Sequence, residues 1–95
     1  MHAAGVFGPL TKEARKVADV QAYILIQTEV GKAAQVAKQA QAIEGVDAAE
    51  DVTGPYDVIV RASAGTVDDL GKLVVASIQS VEGITRTLTC PVVHL

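Results

Sequence analysis

The sequence is poor in the residues on which enzymes and metal sites usually depend. It has one cysteine, two histidines and no tryptophan, and only 3% of its 95 residues are aromatic. A single cysteine, Cys90, excludes an intrachain disulfide and a zinc site built from thiolates. The histidines stand at the two ends of the chain, where we expect them to be solvated. We therefore predict no catalytic residues, no metal and no cofactor.

Long apolar runs and a strong charge of either sign are also missing. No run approaches the roughly 20 apolar residues of a membrane span, and no signal peptide is evident, so we expect a soluble cytoplasmic protein without membrane contact. The net charge is −3, with residues 1–18 at +2 and residues 19–95 at −5, from five basic and ten acidic side chains. An acidic body repels a phosphate backbone, which predicts no direct binding of nucleic acid.

Hydrophobic residues are plentiful but small. They make up 49% of the chain, and fifteen are alanine and fifteen valine. A chain of this length buries only about 60–65% of its unfolded surface, and small side chains contribute little each. The core is thin for a single chain, so we expect a homo-oligomer.

The apolar pattern repeats one supersecondary unit. A β-forming run at 22–26 ending at Gly31, an amphipathic helical stripe at 33–43 and an acidic edge strand at 46–53 predict a β-α-β unit. The same order follows in a strand at 56–63, a helix begun by the capping sequence at 66–69, and a last strand from Ile84 to about Val93. Residues 20–95 are thus predicted to form an α+β, ferredoxin-like βαββαβ plait with two helices on one face of a four-stranded antiparallel sheet. Residues 1–19 precede it as a loose extension, with a short helix at Thr11–Ala18.

The second face of such a sheet is open. If Ile24, Ile26, Val58 and Val60 face the helices, the residues between them, Tyr23, Leu25 and Ile59, form an apolar patch on the open face. A patch of this kind indicates a partner, and we predict dimerisation through it. Cys90 has the parity of Ile84 and Leu88 on the last strand and is expected to be a small buried residue.

Four segments in this order resemble the ligand-binding (RAM) domain of Lrp/AsnC-type transcriptional regulators. They are the first strand at 22–26, the Gly-x-Tyr-Asp turn at 54–57, the helix exit at 81–84 and the opening of the last strand at 85–87. The resemblance covers about Val20 to Val93. It implies dimers that pack sheet against sheet and assemble into larger even-numbered rings. It also implies an amino-acid effector near the Gly54–Asp57 turn.

The resemblance suggests ligand-binding residues, namely Gly54, Tyr56, Asp57, Thr66, Thr85 and Thr87. Glycine lets the backbone approach a ligand, and a carboxylate suits an α-ammonium group. Threonine hydroxyls from the last strand add hydrogen bonds, and a helix N-terminus at Thr66 favours a carboxylate.

The chain departs from full-length members because fewer than twenty residues precede the plait. A helix-turn-helix domain does not fit there, so we expect a stand-alone effector and oligomerisation module that acts with a full-length regulator. One alternative is an ACT-like amino-acid-binding domain, which usually assembles its sheets side by side. Another is a dimeric α+β-barrel enzyme, which needs histidine, asparagine or aromatic residues in a cavity. A purely structural assembly domain that binds nothing is the third.

Overall fold

The computed structural model describes residues 20–93, in which strands and helices follow the order βαββαβ. Helix α1 is Ala33–Gln41, and helix α2 covers residues 67–79. The strands are β1 (Val20–Thr28), β2 (Val46–Asp51), β3 (Val58–Ala64) and β4 (Ile84–Pro91). The N-terminal extension, with the helix predicted at Thr11–Ala18, lies outside the described residues.

The strands form one antiparallel sheet in the order β2-β3-β1-β4. β1 and β3, the strands that open the two β-α-β units, therefore lie side by side in the middle. The acidic strand β2 lies at an edge, as its composition predicted, although it ends at Asp51 rather than Thr53. The predicted ferredoxin-like plait is confirmed.

The hydrophobic core lies between one face of the sheet and the two helices. Ile24, Ile26, Val58 and Val60 are all fully buried there, as their alternation with outward residues predicted. The other buried apolar members are Ala22, Ala49 and Ala62 from the sheet, Val36, Ala37 and Ala40 from α1, and Leu70, Val74 and Ile78 from α2. No side chain in this set is larger than leucine or isoleucine, which makes the core thin.

Helix α2 is not a regular α-helix. An α-helical turn at Val67–Asp69 leads into a π-helical stretch at Leu70–Val75 and then into an α-helical end at Ala76–Gln79. In the middle, the Ala76 N–H donates to the Gly71 carbonyl, five residues back. In an α-helix, side chains four residues apart are rotated by about 40° from one another around the helix axis. A π-helical turn contains more residues, which offsets this rotation. The π-helical stretch thereby lets Leu70, Val74 and Ile78 all face the sheet.

Strand β4 contains a register shift that the sequence did not predict. Gln27 pairs with Arg86, but Thr28 pairs with Ile84, so Thr85 has no partner on β1. Beyond this extra residue, the side chains of β4 that alternation from Ile84 would place on the helix side lie on the open face, and the others lie on the helix side. Ile84 packs against the core, whereas Leu88 and Cys90 lie on the open face opposite Leu25 and Tyr23. The prediction that Cys90 is buried is therefore wrong, because its side chain is exposed.

Candidate functional site

The Gly-x-Tyr-Asp turn lies at the end of the sheet where β1 stops and β3 starts. Its base is closed by a 2.8 Å bond from the Val52 N–H to the Asp57 carbonyl. Two further bonds tie it to β1: the Asp57 N–H donates to the Ile26 carbonyl at 2.8 Å, and the Gln27 side-chain amide donates to the Pro55 carbonyl at 3.2 Å. The turn is thus held in place by the neighbouring central strand.

The Asp57 carboxylate has a structural partner in addition to any ligand. Its Oδ2 accepts a 2.8 Å hydrogen bond from the Thr28 N–H, a backbone donor that lies beyond the start of β3 and so has no ladder partner on that side. The side chain is half-buried, and within residues 20–93 it forms no ion pair. Its second carboxylate oxygen is therefore available for a cationic group.

Gly54 leaves open space beside the turn. Its φ is 157°, and a Cβ built on it would meet no atom within 4 Å. Tyr56 is half-buried in the same turn. The turn therefore presents exposed backbone beside the Asp57 carboxylate, and a ligand would meet no side chain at Gly54.

Thr85 and Thr87 lie at the same end of the sheet but on the other side of β1. Asp57, just before β3, and Thr87 on β4 lie on the two sides of Ile26, which separates their backbones by about 10 Å, or two strand spacings. Thr87 is half-buried and faces the helices, whereas Thr85 is exposed at the register shift. Both border a surface concavity of about 290 Å³ together with Gln79, Ile84 and Arg86. Within one chain this concavity and the turn are neighbouring features, separated by β1.

Thr66 lies at the opposite end of the sheet and acts as the cap of α2. It follows the last residue of β3, whose seven residues span about 20 Å. Its Oγ1 accepts a 3.0 Å hydrogen bond from the Asp69 N–H, as the capping sequence predicted. Within a single chain the structure does not bring Thr66 to the other suggested ligand residues, and a ligand-binding role for it stays a prediction.

The capping bond gives a direct expectation for Thr66. Thr66→Ala should lower the free energy of unfolding by about 1 kcal/mol, because it removes the acceptor for a helix N–H, whereas Thr66→Ser should retain the acceptor and most of the stability. Urea unfolding of the two variants measures this. Equal stability of the alanine and wild-type proteins would mean that the capping bond contributes nothing.

The open face of the sheet carries the apolar patch that was predicted, enlarged by β4. Tyr23 is 43% exposed, and Leu25 and Ile59 are half-buried. Because of the register shift, Leu88, at 46% exposed, and Cys90 join them. One cross-strand row runs Glu50–Ile59–Leu25–Leu88, and the next runs Ala48–Arg61–Tyr23–Cys90. The position of these side chains agrees with a role in dimerisation, which itself stays a prediction.

Comparison with known proteins shows the family. The family described as the Lrp/AsnC ligand binding domain matches residues 21–94. The chain belongs to this family. An uncharacterized HTH-type transcriptional regulator of Pyrococcus furiosus is 29% identical over 55 residues, which is 58% of this chain and 37% of that regulator. The match therefore spans little more than a third of the length of its relative.

Solved structures agree with the fold of this Lrp/AsnC domain. A hypothetical protein from Pyrococcus horikoshii superposes with a TM-score of 0.72 and 32% identity, covering 80% of this chain and 92% of the other. A transcriptional regulator from Neisseria meningitidis, solved as an L-Met complex, superposes with a TM-score of 0.70 over 87% of this chain and 54% of its own. The second pair is only 16% identical, so that likeness concerns the fold alone.

Over residues 20–93 no three histidine, cysteine, aspartate or glutamate side chains come together as a metal site would require. None of the helices in that range is long and apolar enough to cross a membrane.

Proposed function

We propose that this Lrp/AsnC domain is an amino-acid-binding and assembly module of transcriptional regulation. The Asp57 carboxylate carries the proposal, because one of its oxygens is held by the Thr28 N–H, while the carboxylate has no ion pair among residues 20–93. The α-ammonium group of an amino acid would form a charge-assisted hydrogen bond with this carboxylate. Gly54 and Tyr56 would border the same ligand, whereas Thr85 and Thr87, which β1 separates from the turn within one chain, stay predicted ligand residues. The L-Met complex of the Neisseria regulator supports an amino acid as the ligand class.

Assembly is the second half of the proposed function. We infer that two copies of the chain pack their open sheet faces together, and that such dimers associate further at the ends of their sheets. The thin core and the exposed apolar patch support the packing of the open faces. We assign the module no direct contact with nucleic acid, since residues 19–95 hold twice as many acidic as basic side chains. DNA would then be contacted by a full-length regulator that assembles with it.

The proposal is tested by screening the twenty proteinogenic amino acids for thermal stabilisation while light scattering reports the mass. A ligand that binds only the folded protein raises its melting temperature by mass action. If none of the twenty amino acids changes the melting temperature, the proposal of an amino-acid ligand is wrong. If light scattering gives the mass of a single chain, the proposal of assembly is wrong.

Asp57→Asn is the sharpest test of the site. The asparagine side-chain oxygen can still accept from the Thr28 N–H, so the fold should survive with a loss of stability below about 1 kcal/mol. Removal of the charge should weaken binding of the best amino acid from the screen by roughly 10- to 150-fold, measured by calorimetry.

The matched control is Asp68→Asn, which removes the same charge from the exposed first turn of α2. It should leave the affinity unchanged. If Asp57→Asn also leaves the affinity unchanged, Asp57 only anchors the end of β1 and the ligand lies elsewhere.

A further inference from the structure

Two opposite charges stand on the open sheet face without partners. Glu50 on β2 and Arg61 on β3 are diagonal neighbours, because the ladder pairs Glu50 with Ile59 and Ala48 with Arg61. Both side chains are exposed, and over residues 20–93 neither forms an ion pair or a side-chain hydrogen bond. Together with Tyr23, Ala48, Val52 and Ile59 they line a concavity of about 300 Å³.

A partner that covers this face must satisfy both charges. Removing an ion from water without a counter-charge is strongly unfavourable. A surface that presents one acid and one base beside an apolar centre of Leu25, Ile59 and Leu88 is complementary to a second copy of itself. A two-fold axis that passes between Glu50 and Arg61 brings each beside its opposite in the other subunit, so the contact forms twice.

We propose that Glu50 of each subunit pairs with Arg61 of the partner subunit, and that these two symmetric ion pairs select a second copy of this chain as the occupant of the open face. The inference rests on the proposed dimerisation and adds the residues that decide its specificity. Arg86 is a third charge on this face, but it lies on the far edge strand opposite Gln27 and outside the concavity that Glu50 and Arg61 share, where it stays hydrated at the rim of such a dimer. It is therefore left out of the pair.

Charge exchange between the two positions tests the pairing. Glu50→Arg alone sets two arginines against each other, and Arg61→Glu alone sets two glutamates against each other. Each should raise the dimer dissociation constant roughly 30-fold or more in sedimentation equilibrium. An equimolar mixture of the two variants should recover the dimer mass, because each residue then meets its opposite. The Glu50→Arg/Arg61→Glu double variant should form homodimers again.

The controls separate this pairing from a general effect of charge on the open face. Arg86→Glu makes the same charge change on the same face and should leave the dissociation constant near the wild-type value. Circular dichroism spectra that match the wild type show that the variants are folded. Recovery of the dimer by the mixture and the double variant supports the pairing. The pairing is overturned if the wild type is a dimer and the single variants dissociate, but neither the mixture nor the double variant recovers the dimer. It is also overturned if Arg86→Glu, in place of Arg61→Glu, restores the dimer when mixed with Glu50→Arg. A wild-type protein that is a single chain overturns the proposed dimerisation itself.

Discussion

Leu25→Asp should convert the proposed dimer into folded single chains. Leu25 lies in the middle of the apolar row on the open face, between Ile59 and Leu88. In a single chain its side chain is only half-buried and points away from the helices, so an aspartate there remains hydrated. In a sheet-to-sheet dimer the same carboxylate would be buried without a counter-charge, which costs several kcal/mol. The dimer dissociation constant should therefore rise by about 100-fold or more.

The measurement is the mass by light scattering over a dilution series, with circular dichroism to confirm the fold. Ile59→Asp on β3 should act in the same way, because Ile59 pairs directly with Leu25. Val30→Asp is the matched control, since Val30 is fully exposed in the turn between β1 and α1 and does not lie on the open face. If Leu25→Asp is folded and keeps the wild-type mass, assembly uses another surface.

The fold was predictable because apolar residues alternate along the strands and recur about every three to four residues along the helices. Alternation on β1 and β3 placed Ile24, Ile26, Val58 and Val60 on the helix side, and the structure buries all four completely. The helical stripe of α1 likewise placed Val36 and Ala40 in the core. These assignments depend on neighbours within one element, which is the information that a sequence carries directly.

The features that the sequence did not predict depend on contacts between elements. The register shift on β4 arises where Thr28 pairs with Ile84, and no local signal marks it in the Ile84–Cys90 segment. Simple alternation therefore assigned Cys90 to the buried face, while the structure exposes it and adds Leu88 to the open face. The π-helical stretch of α2 is set in the same way, by the sheet on which its side chains pack.

In the candidate site, too, features within one segment were predictable, whereas contacts between segments were not. The turn at Gly54–Asp57 was recognised from its residue types, and the cap at Thr66 from its position before two aspartates. The bond between the Asp57 carboxylate and the Thr28 N–H joins residues 29 apart and follows only from the alignment of β1 and β3. Thr66 lies at the far end of the sheet because β3 separates it from Asp57.

Gly45→Ala should be among the most destabilising single substitutions in the described part of the chain. Gly45 has a φ of 96°, in the left-handed region that side chains disfavour. A Cβ added there would lie 2.7 Å from Val74 Cγ2 and 3.2 Å from the Ser63 carbonyl oxygen. The backbone cannot retreat freely, because the Gly45 carbonyl accepts a 2.8 Å bond from the Ser63 N–H. Backbone strain of about 1–2 kcal/mol and overpacking of about 1–3 kcal/mol should add to roughly 2–5 kcal/mol.

Gly31→Ala separates the two contributions to that loss. Gly31 has a φ of 80°, but a Cβ there would meet nothing within 4 Å, so only the backbone cost of about 1–2 kcal/mol should appear. Urea unfolding of both variants at one protein concentration gives the comparison, since the proposed assembly would make stability concentration-dependent. Adding Val74→Ala to Gly45→Ala removes the close contact, and the double variant should lose less stability than the sum of the two single losses. If Gly45→Ala is no more costly than Gly31→Ala, the contact between the turn after α1 and Val74 of α2 does not constrain the fold.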